Sequence, residues 1–144
     1  EAHLEQLGAA ASYLQIESLL QSIGAAMKSI LDASNCVQFW RFADSYMLKP
    51  LAVAASTYVA RHFQALATLP GAVGDDAYAP PDGPLMGLSA SLVKELVAKE
   101  SLRSRSEQLV YNVVVQWVRG QPKPLQDAEL AHLFRDVRFA LLPR

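Results

Sequence analysis

Apolar residues recur every three or four positions along almost the whole chain, the period of a helix with one buried face. Leu4, Leu7, Ala11 and Leu14 mark a first helix. Ile16, Leu19, Leu20, Ile23, Met27, Ile30 and Leu31 mark a second, with a stripe wide enough to be half buried. Between them Leu14-Gln15-Ile16 leaves room only for a tight corner. Asp32-Ala33-Ser34 then interrupts the pattern, and Asn35 with Gln38 three residues later predicts an N-cap and a capping box. The third helix runs from there to Leu48, with Val37, Trp40, Ala43, Tyr46 and Met47 on one side and Phe39 and Phe42 flanking them. Neighbours on a helix point about 100° apart, so this pattern assigns Trp40, Ala43 and Met47 to a core and Phe39 or Phe42 to a second face.

Lys49-Pro50 closes that helix and opens the next, because proline suits a first helical turn and disfavours helix in the residue before it. Leu51, Ala54, Ala55, Tyr58, Val59, His62, Phe63 and Leu66 carry a fourth helix. From Thr68 to Gly87 four prolines, four glycines and three aspartates predict a long loop. Leu88, with Val93 as its staple partner, and Ser89 restart a helix whose face is Leu92, Val93, Leu96 and Val97. Ser104 or Ser106 caps the next, which carries Leu109, Val110, Val113, Val114, Trp117 and Val118 and ends at Gly120 before Pro122 and Pro124. Leu130, Leu133, Phe134 and Val137 form a last helix, with Phe139, Leu141 and Leu142 trailing it. No segment alternates with period two, so the expected class is all-α, an array of antiparallel helix pairs.

With 144 residues and 51% hydrophobic content, the chain can bury a core without disulfides or metal. A net charge of −1 offers no electrostatic footprint for nucleic acid or an anionic membrane. One cysteine, Cys36, excludes an intrachain disulfide and fits a reducing compartment, hence a cytoplasmic and also a nuclear setting. No apolar run reaches membrane-spanning length, and no basic n-region marks a signal peptide. The pattern is already periodic at Leu4 and Leu7, which predicts a piece of a longer protein.

Reactive chemistry is not written in the chain. It has no phosphate-binding glycine loop, no HExxH and no paired-cysteine motif. His3, His62 and His132 have no second ligand at helical spacing and read as surface or core-edge residues. Cys36 follows a helix cap, yet no base neighbours it in sequence, so a buried structural thiol is expected. Asp75-Asp76 are too few for a calcium loop, and Arg103, Arg105, Lys94-Glu95 and Lys99-Glu100 read as solvated faces. No enzyme and no cofactor are expected. The aromatic load of Phe39, Trp40, Phe42, Tyr46, Tyr58 and Phe63 reads first as core; an aromatic on a second face would mark a contact with a neighbour or partner.

Three stretches together resemble a known family. Tyr13-Leu14-Gln15-Ile16 followed by Leu31-Asp32-Ala33-Ser34-Asn35-Cys36 resembles the last helices of a BTB domain and the start of a BACK domain. Phe42-Ala43-Asp44, Leu51 and Phe63-Gln64 resemble the first BACK helix pair, the three-box. Arg105-Ser106-Glu107, Val110-Tyr111, Trp117-Val118 and Val137-Arg138-Phe139-Ala140-Leu141-Leu142 resemble the later BACK helices. The chain is thus similar to BTB–BACK proteins, especially the kelch-like adaptors of cullin-RING ubiquitin ligases.

The resemblance implies BTB helices over 1–33 and a BACK domain over 34–144, with a three-box at 34–67 and a loop insertion at 68–87. It implies a non-catalytic adaptor that binds the third cullin, dimerises through a BTB domain, and leaves substrate binding to a domain outside this chain. The cullin's N-terminal extension lies in an apolar groove in that family. As aromatic anchors, Phe39, Phe42, Tyr46 and Tyr58 are the candidate groove and partner-binding residues. The competing expectation keeps the fold but makes the module one of self-association through exposed helices, with no cullin contact.

Overall fold

The computed structural model describes residues 2–68, 83–104, 106–122, 125–135 and 137. Among the described residues there are eight α-helices and a 3-10 turn, and no strand, so the all-α expectation is met. The chain divides into two compact units, Glu1–Tyr58 and Val59–Arg144.

The first unit holds α1 (Ala2–Tyr13), α2 (Glu17–Ser29), α3 (Cys36–Ser45) and most of α4 (Lys49–Arg61). α1 packs on α2 across the expected tight corner. The Gln15 N–H donates to the Ser12 carbonyl at 3.0 Å and the Ile16 N–H to the Ala11 carbonyl at 2.8 Å, the paired bonds of a Schellman motif. Gln15 takes the left-handed conformation this requires, with φ 56°. The corner after α3 repeats the device: Met47 N–H to Asp44 carbonyl at 3.3 Å, Leu48 N–H to Ala43 carbonyl at 2.8 Å, and φ 53° at Met47. A left-handed residue projects off the helix end, which corrects the core assignment of Met47: its side chain is 82% exposed.

α1 buries Gly8 and Ala11, while Leu7 and Leu14 face solvent. Glycine at position 8 makes room for Phe42, since a Cβ there would overlap the tip of its ring and force it to shift. α2 buries Leu20, Ile23, Gly24 and Met27, and its ends Ile16 and Ile30 are exposed.

The expected Asn35–Gln38 capping box does not form. Asp32 does the capping instead. Its carboxylate accepts from the Ser34 hydroxyl at 2.6 Å, the Ser34 N–H at 2.8 Å and the Asn35 N–H at 3.1 Å. The Cys36 N–H already bonds the Asp32 carbonyl at 3.0 Å, so the helical turn begins at Asp32. Those bonds, the Ser34 hydroxyl foremost, hold the Asp32 carboxyl below its ordinary value of 3.8. Asn35 turns inward and is fully buried: its amide donates to the Ile30 carbonyl at 2.9 Å and accepts from the Asp32 N–H at 2.9 Å. A buried side-chain amide thus satisfies backbone groups that the α2–α3 connection would otherwise orphan.

The second unit holds α5 (Phe63–Ala67), the 3-10 turn Pro84–Gly87, α6 (Ala90–Ala98), α7 (Glu107–Arg119) and α8 (Asp127–Phe134). The single fourth helix expected from periodicity breaks at His62. The Arg103 N–H takes the Ala60 carbonyl at 2.9 Å, the acceptor that a continuing helix would use for residue 64. α6 buries Leu92, Val93, Leu96 and Val97, and α7 buries Leu109, Val110, Val113, Val114 and Trp117, as their stripes predict. Ser106 is the α7 cap, accepting from the Leu109 N–H at 3.3 Å. Ser89 stands at the α6 N-cap position but its hydroxyl pairs with Ser91 at 2.9 Å instead of capping. The Trp117 indole N–H donates to the Leu88 carbonyl at 2.9 Å, tying α7 to the start of α6.

The predicted loop over 68–87 ends in structure, because Pro84–Gly87 form the 3-10 turn and Leu85 is buried. Residues 69–82, with Asp75 and Asp76, lie outside the described residues. So do Arg105, Pro124 and the Arg138–Leu142 part of the closing motif. α8 begins where the Gln126 N–H donates to the Glu129 carboxylate at 2.9 Å, and Phe134 lies 6.0 Å from the Tyr111 ring.

Candidate functional site

The first unit carries a groove of about 250 Å³ between α2 and the start of α4. Gln21, Gly24, Ala25 and Lys28 form the α2 wall; Leu48, Pro50 and Leu51 form the other. On α2 these positions fall three or four apart and so share one face. Gly24 lets the walls approach, since a Cβ there would sit 3.3 Å from Leu48 Cδ1. Pro50 stands in the first turn of α4, where its missing N–H costs nothing. The volume falls short of the roughly 300–1,000 Å³ usual for small-molecule sites. It suits side chains of a partner segment.

Leu48 and Leu51 belong both to the groove and to the buried cluster that holds Phe39, Phe42, Leu20, Ile23 and Met27. The four residues singled out from sequence lie at different depths. Phe39 is fully buried and Phe42 nearly so, while Tyr46 and Tyr58 are half-buried. Tyr46 stacks obliquely on Phe42, ring centres 4.5 Å apart, and packs at the edge of the same cluster. Phe39, Trp40 and Phe42 do point to different faces of α3, but both faces are covered, because Cys36, Val37, Phe39, Trp40, Phe42 and Ala43 are all buried. Phe39, Phe42 and Tyr46 share the cluster of Leu48 and Leu51 behind the groove, and Tyr58 is not among its residues. The groove-lining residues themselves were not singled out from sequence; the signal for them was the small pair Gly24-Ala25 inside an otherwise bulky stripe.

Large apolar side chains cluster on the same unit. Tyr13, Leu14, Ile16, Ile30, Met47 and Val53 are all exposed, Tyr13 at 87% and Val53 at 64%. Pro50 and Val53 lie three apart on α4 and are both exposed, so the groove opens toward an apolar strip of that helix.

Reactive groups are scarce. Cys36 is fully buried, and burial pushes its thiol up to about 11. All three histidines are exposed, and among the described residues no group of His, Cys, Asp and Glu could hold a metal ion. The Lys99–Glu95 pair, 3.3 Å apart, is an ordinary surface ion pair along α6. In the second unit a void of about 10 Å³ inside the α6–α7 core is lined by apolar residues and Trp117, and has room for no ligand. No described helix is long and apolar enough to cross a membrane.

Fold and groove together define an all-α helical module whose first unit carries a small groove and several exposed apolar side chains. Comparison with known proteins is consistent with that and more specific. Residues 83–144 match the model of the BACK family, "BTB And C-terminal Kelch". The chain is 33% identical over 147 residues to human Kelch-like protein 17, covering all of this chain and 20% of that protein. It is 30% identical over 139 residues to human Kelch repeat and BTB domain-containing protein 6, 96% of this chain and 19% of that one. Mouse Kelch-like protein 3 matches at 28% over 144 residues, all of this chain and 22% of the relative. The chain therefore spans about a fifth of the length of the curated relatives it matches. Residues 83–144 belong to the BACK family, and the whole chain is similar to kelch-like BTB proteins.

Proposed function

We propose that this chain is a non-catalytic scaffold of a cullin-RING ubiquitin-ligase substrate receptor, which contributes to binding the third cullin and positions a substrate-recognition domain outside the chain. The observation that carries this reading is the groove between α2 and α4, with exposed apolar side chains concentrated on the same unit. The likeness to kelch-like BTB proteins supplies the class of partner. In this reading residues 1–33 are BTB helices and 34–144 the BACK domain, with the three-box at 34–67. Tyr46 and Tyr58 form partly exposed edges of the partner surface; Phe39 and Phe42 hold its floor from behind. The setting is cytoplasmic, and no cofactor takes part.

Titration of the intact protein with a cullin N-terminal domain tests this. Ala25 is exposed in the groove wall, so Ala25→Glu would place a charge there with little cost to the fold. Binding weakened at least tenfold, with an unchanged circular dichroism spectrum, is the expected result. Equal binding by both proteins would overturn the assignment.

A second reading draws on the exposed Tyr13, Leu14 and Ile16 at the α1–α2 corner. These would pair two copies of the chain, in a homodimer formed by exposed helices instead of through a BTB domain. Light scattering over a concentration series decides it: a monomer at high micromolar concentration excludes it.

A further inference from the structure

The groove walls are apolar or neutral at every position but one. Gly24, Ala25, Leu48, Pro50 and Leu51 offer no charge, and Gln21 offers an amide. Lys28 is the exception. It is exposed at the last turn of α2, and no carboxylate pairs with it among the described residues. Glu17 lies on the same helix face, but three turns away, and its carboxylate accepts from the Gln21 amide at 2.7 Å. Asp32, four residues on from Lys28, spends its carboxylate on the Ser34 hydroxyl, the Ser34 N–H and the Asn35 N–H. Neither acid pairs with Lys28, so the groove wall has one free charge, a cation at one end. Complementarity with the C-terminal end of the α2 dipole accounts for a lysine in that turn. It does not account for that lysine forming the wall of an otherwise uncharged groove.

We propose that Lys28 is the specificity-determining residue of this groove, selecting a partner segment that sets an apolar side chain between Gly24 and Leu51 and a carboxylate against the Lys28 ammonium. The proposal rests on the reading of the groove as a partner-docking site, and it adds the sign of charge that the segment must carry. The recognition is a point charge at a solvent-exposed rim, so it discriminates by a few-fold and is screened by salt. The apolar contacts supply affinity, and Lys28 rejects segments with a basic or neutral residue at that place.

The test uses the chain with three fluorescein-labelled decapeptides that differ at one position beside a central pair of large apolar residues: aspartate, asparagine or lysine. At low ionic strength the aspartate peptide binds about threefold tighter than the asparagine peptide, and the lysine peptide binds weakest. The ratio falls to one in Lys28→Met and in 0.5 M salt, and Lys28→Glu reverses it. Equal binding of the three peptides, an aspartate preference that survives Lys28→Met, or no binding to 2 mM would each overturn the proposal. Self-association of the chain that Ala25→Glu abolishes would assign the groove to a second copy and overturn it as well. The two claims fail separately. Loss of cullin binding as the readout of Ala25→Glu concerns the partner's identity, whereas the peptide ratio concerns Lys28 alone.

Discussion

In the unit that runs to Tyr58, large apolar side chains such as Tyr13, Leu14, Met47 and Val53 stand in solvent, beside a groove of about 250 Å³. Among the described residues of the unit from Val59 onward, every large apolar side chain is at least partly covered, and the void in the α6–α7 core is about 10 Å³. The same kinds of helix build both. The difference lies in what closes each core. α6 and α7 close theirs with facing stripes of leucine and valine and with the Trp117 indole bonded to the Leu88 carbonyl. The first unit closes its core by close approach at glycines, Gly8 under Phe42 and Gly24 under Leu48, and by a buried asparagine. Close approach leaves less apolar side chain to cover the outside. A unit built this way leaves apolar surface for a partner, whereas the described residues of the second unit include no exposed large apolar side chain.

The largest effect expected is in the closed unit. Trp117→Ala removes the largest side chain of its void lining and the indole donor to Leu88, and should cost about 3–5 kcal/mol, read as a fall in the urea midpoint. Retention of the wild-type midpoint would show that the second unit is not a tightly filled core. In the open unit Gly8→Ala forces Phe42 to move and should cost about 1–3 kcal/mol. Phe42→Leu in the same chain should recover part of that loss, because the two sites share one contact. Simple addition of the two losses would break the claim that glycine proximity closes this core.

Asn35→Ala should cost a similar or somewhat smaller amount, about 1–3 kcal/mol, by orphaning the Ile30 carbonyl and the Asp32 N–H. Hydrogen exchange should then accelerate at Asp32 and the first turn of α3 and stay unchanged in α7. Met47→Gly works in the opposite direction. It relieves a left-handed residue that bears a side chain and should stabilise by about 0.5–1 kcal/mol, while thinning the apolar surface of the first unit.

The smallest effects are those of pH. Asp32 binds its proton more weakly in the folded state, so its contribution is complete above the ordinary 3.8 and is lost as pH falls through the lower folded value. Asp32→Asn should lower the Tm by a constant amount above pH 5, and the two Tm–pH profiles should converge as pH falls through the acid limb. For Cys36 the sign reverses: a thiol raised from 9.0 to about 11 loses stability as pH rises across that interval. At pH 8 a disulfide exchange reagent should label Cys36 only after denaturant unfolds the chain.

How far these differences were legible in sequence depends on how local their causes are. The stripes of α6 and α7 follow from period alone, and their buried residues were read correctly except Val118, which is half-buried. Trp40 and Ala43 were placed in the core on the same grounds. Met47 was placed there too and is exposed instead, because its position is set by a Schellman corner in which glycine is the usual occupant and methionine gives no signal. Phe39 was offered as a candidate groove wall as an aromatic anchor on a second face of α3, but that face is buried too, in the cluster with Leu20, Ile23, Met27, Leu48 and Leu51. The groove itself is made by what is absent from Gly24 and Ala25, and a search for anchors passes over such positions.

The joint at His62 is of another kind. A main-chain N–H at Arg103 meets a main-chain carbonyl at Ala60, and neither side chain takes part in that bond. Any residue but proline can occupy position 103 and still make it. The bend can therefore be inherited while the letters on both sides of it drift, and aligned relatives need share nothing there. The span it closes contains the Pro/Gly-rich stretch, and each doubling of such a span costs only about 0.6 kcal/mol in closure entropy. Lineages are free to lengthen or shorten that stretch with the joint left in place, which makes it the natural place in this chain for evolution to experiment.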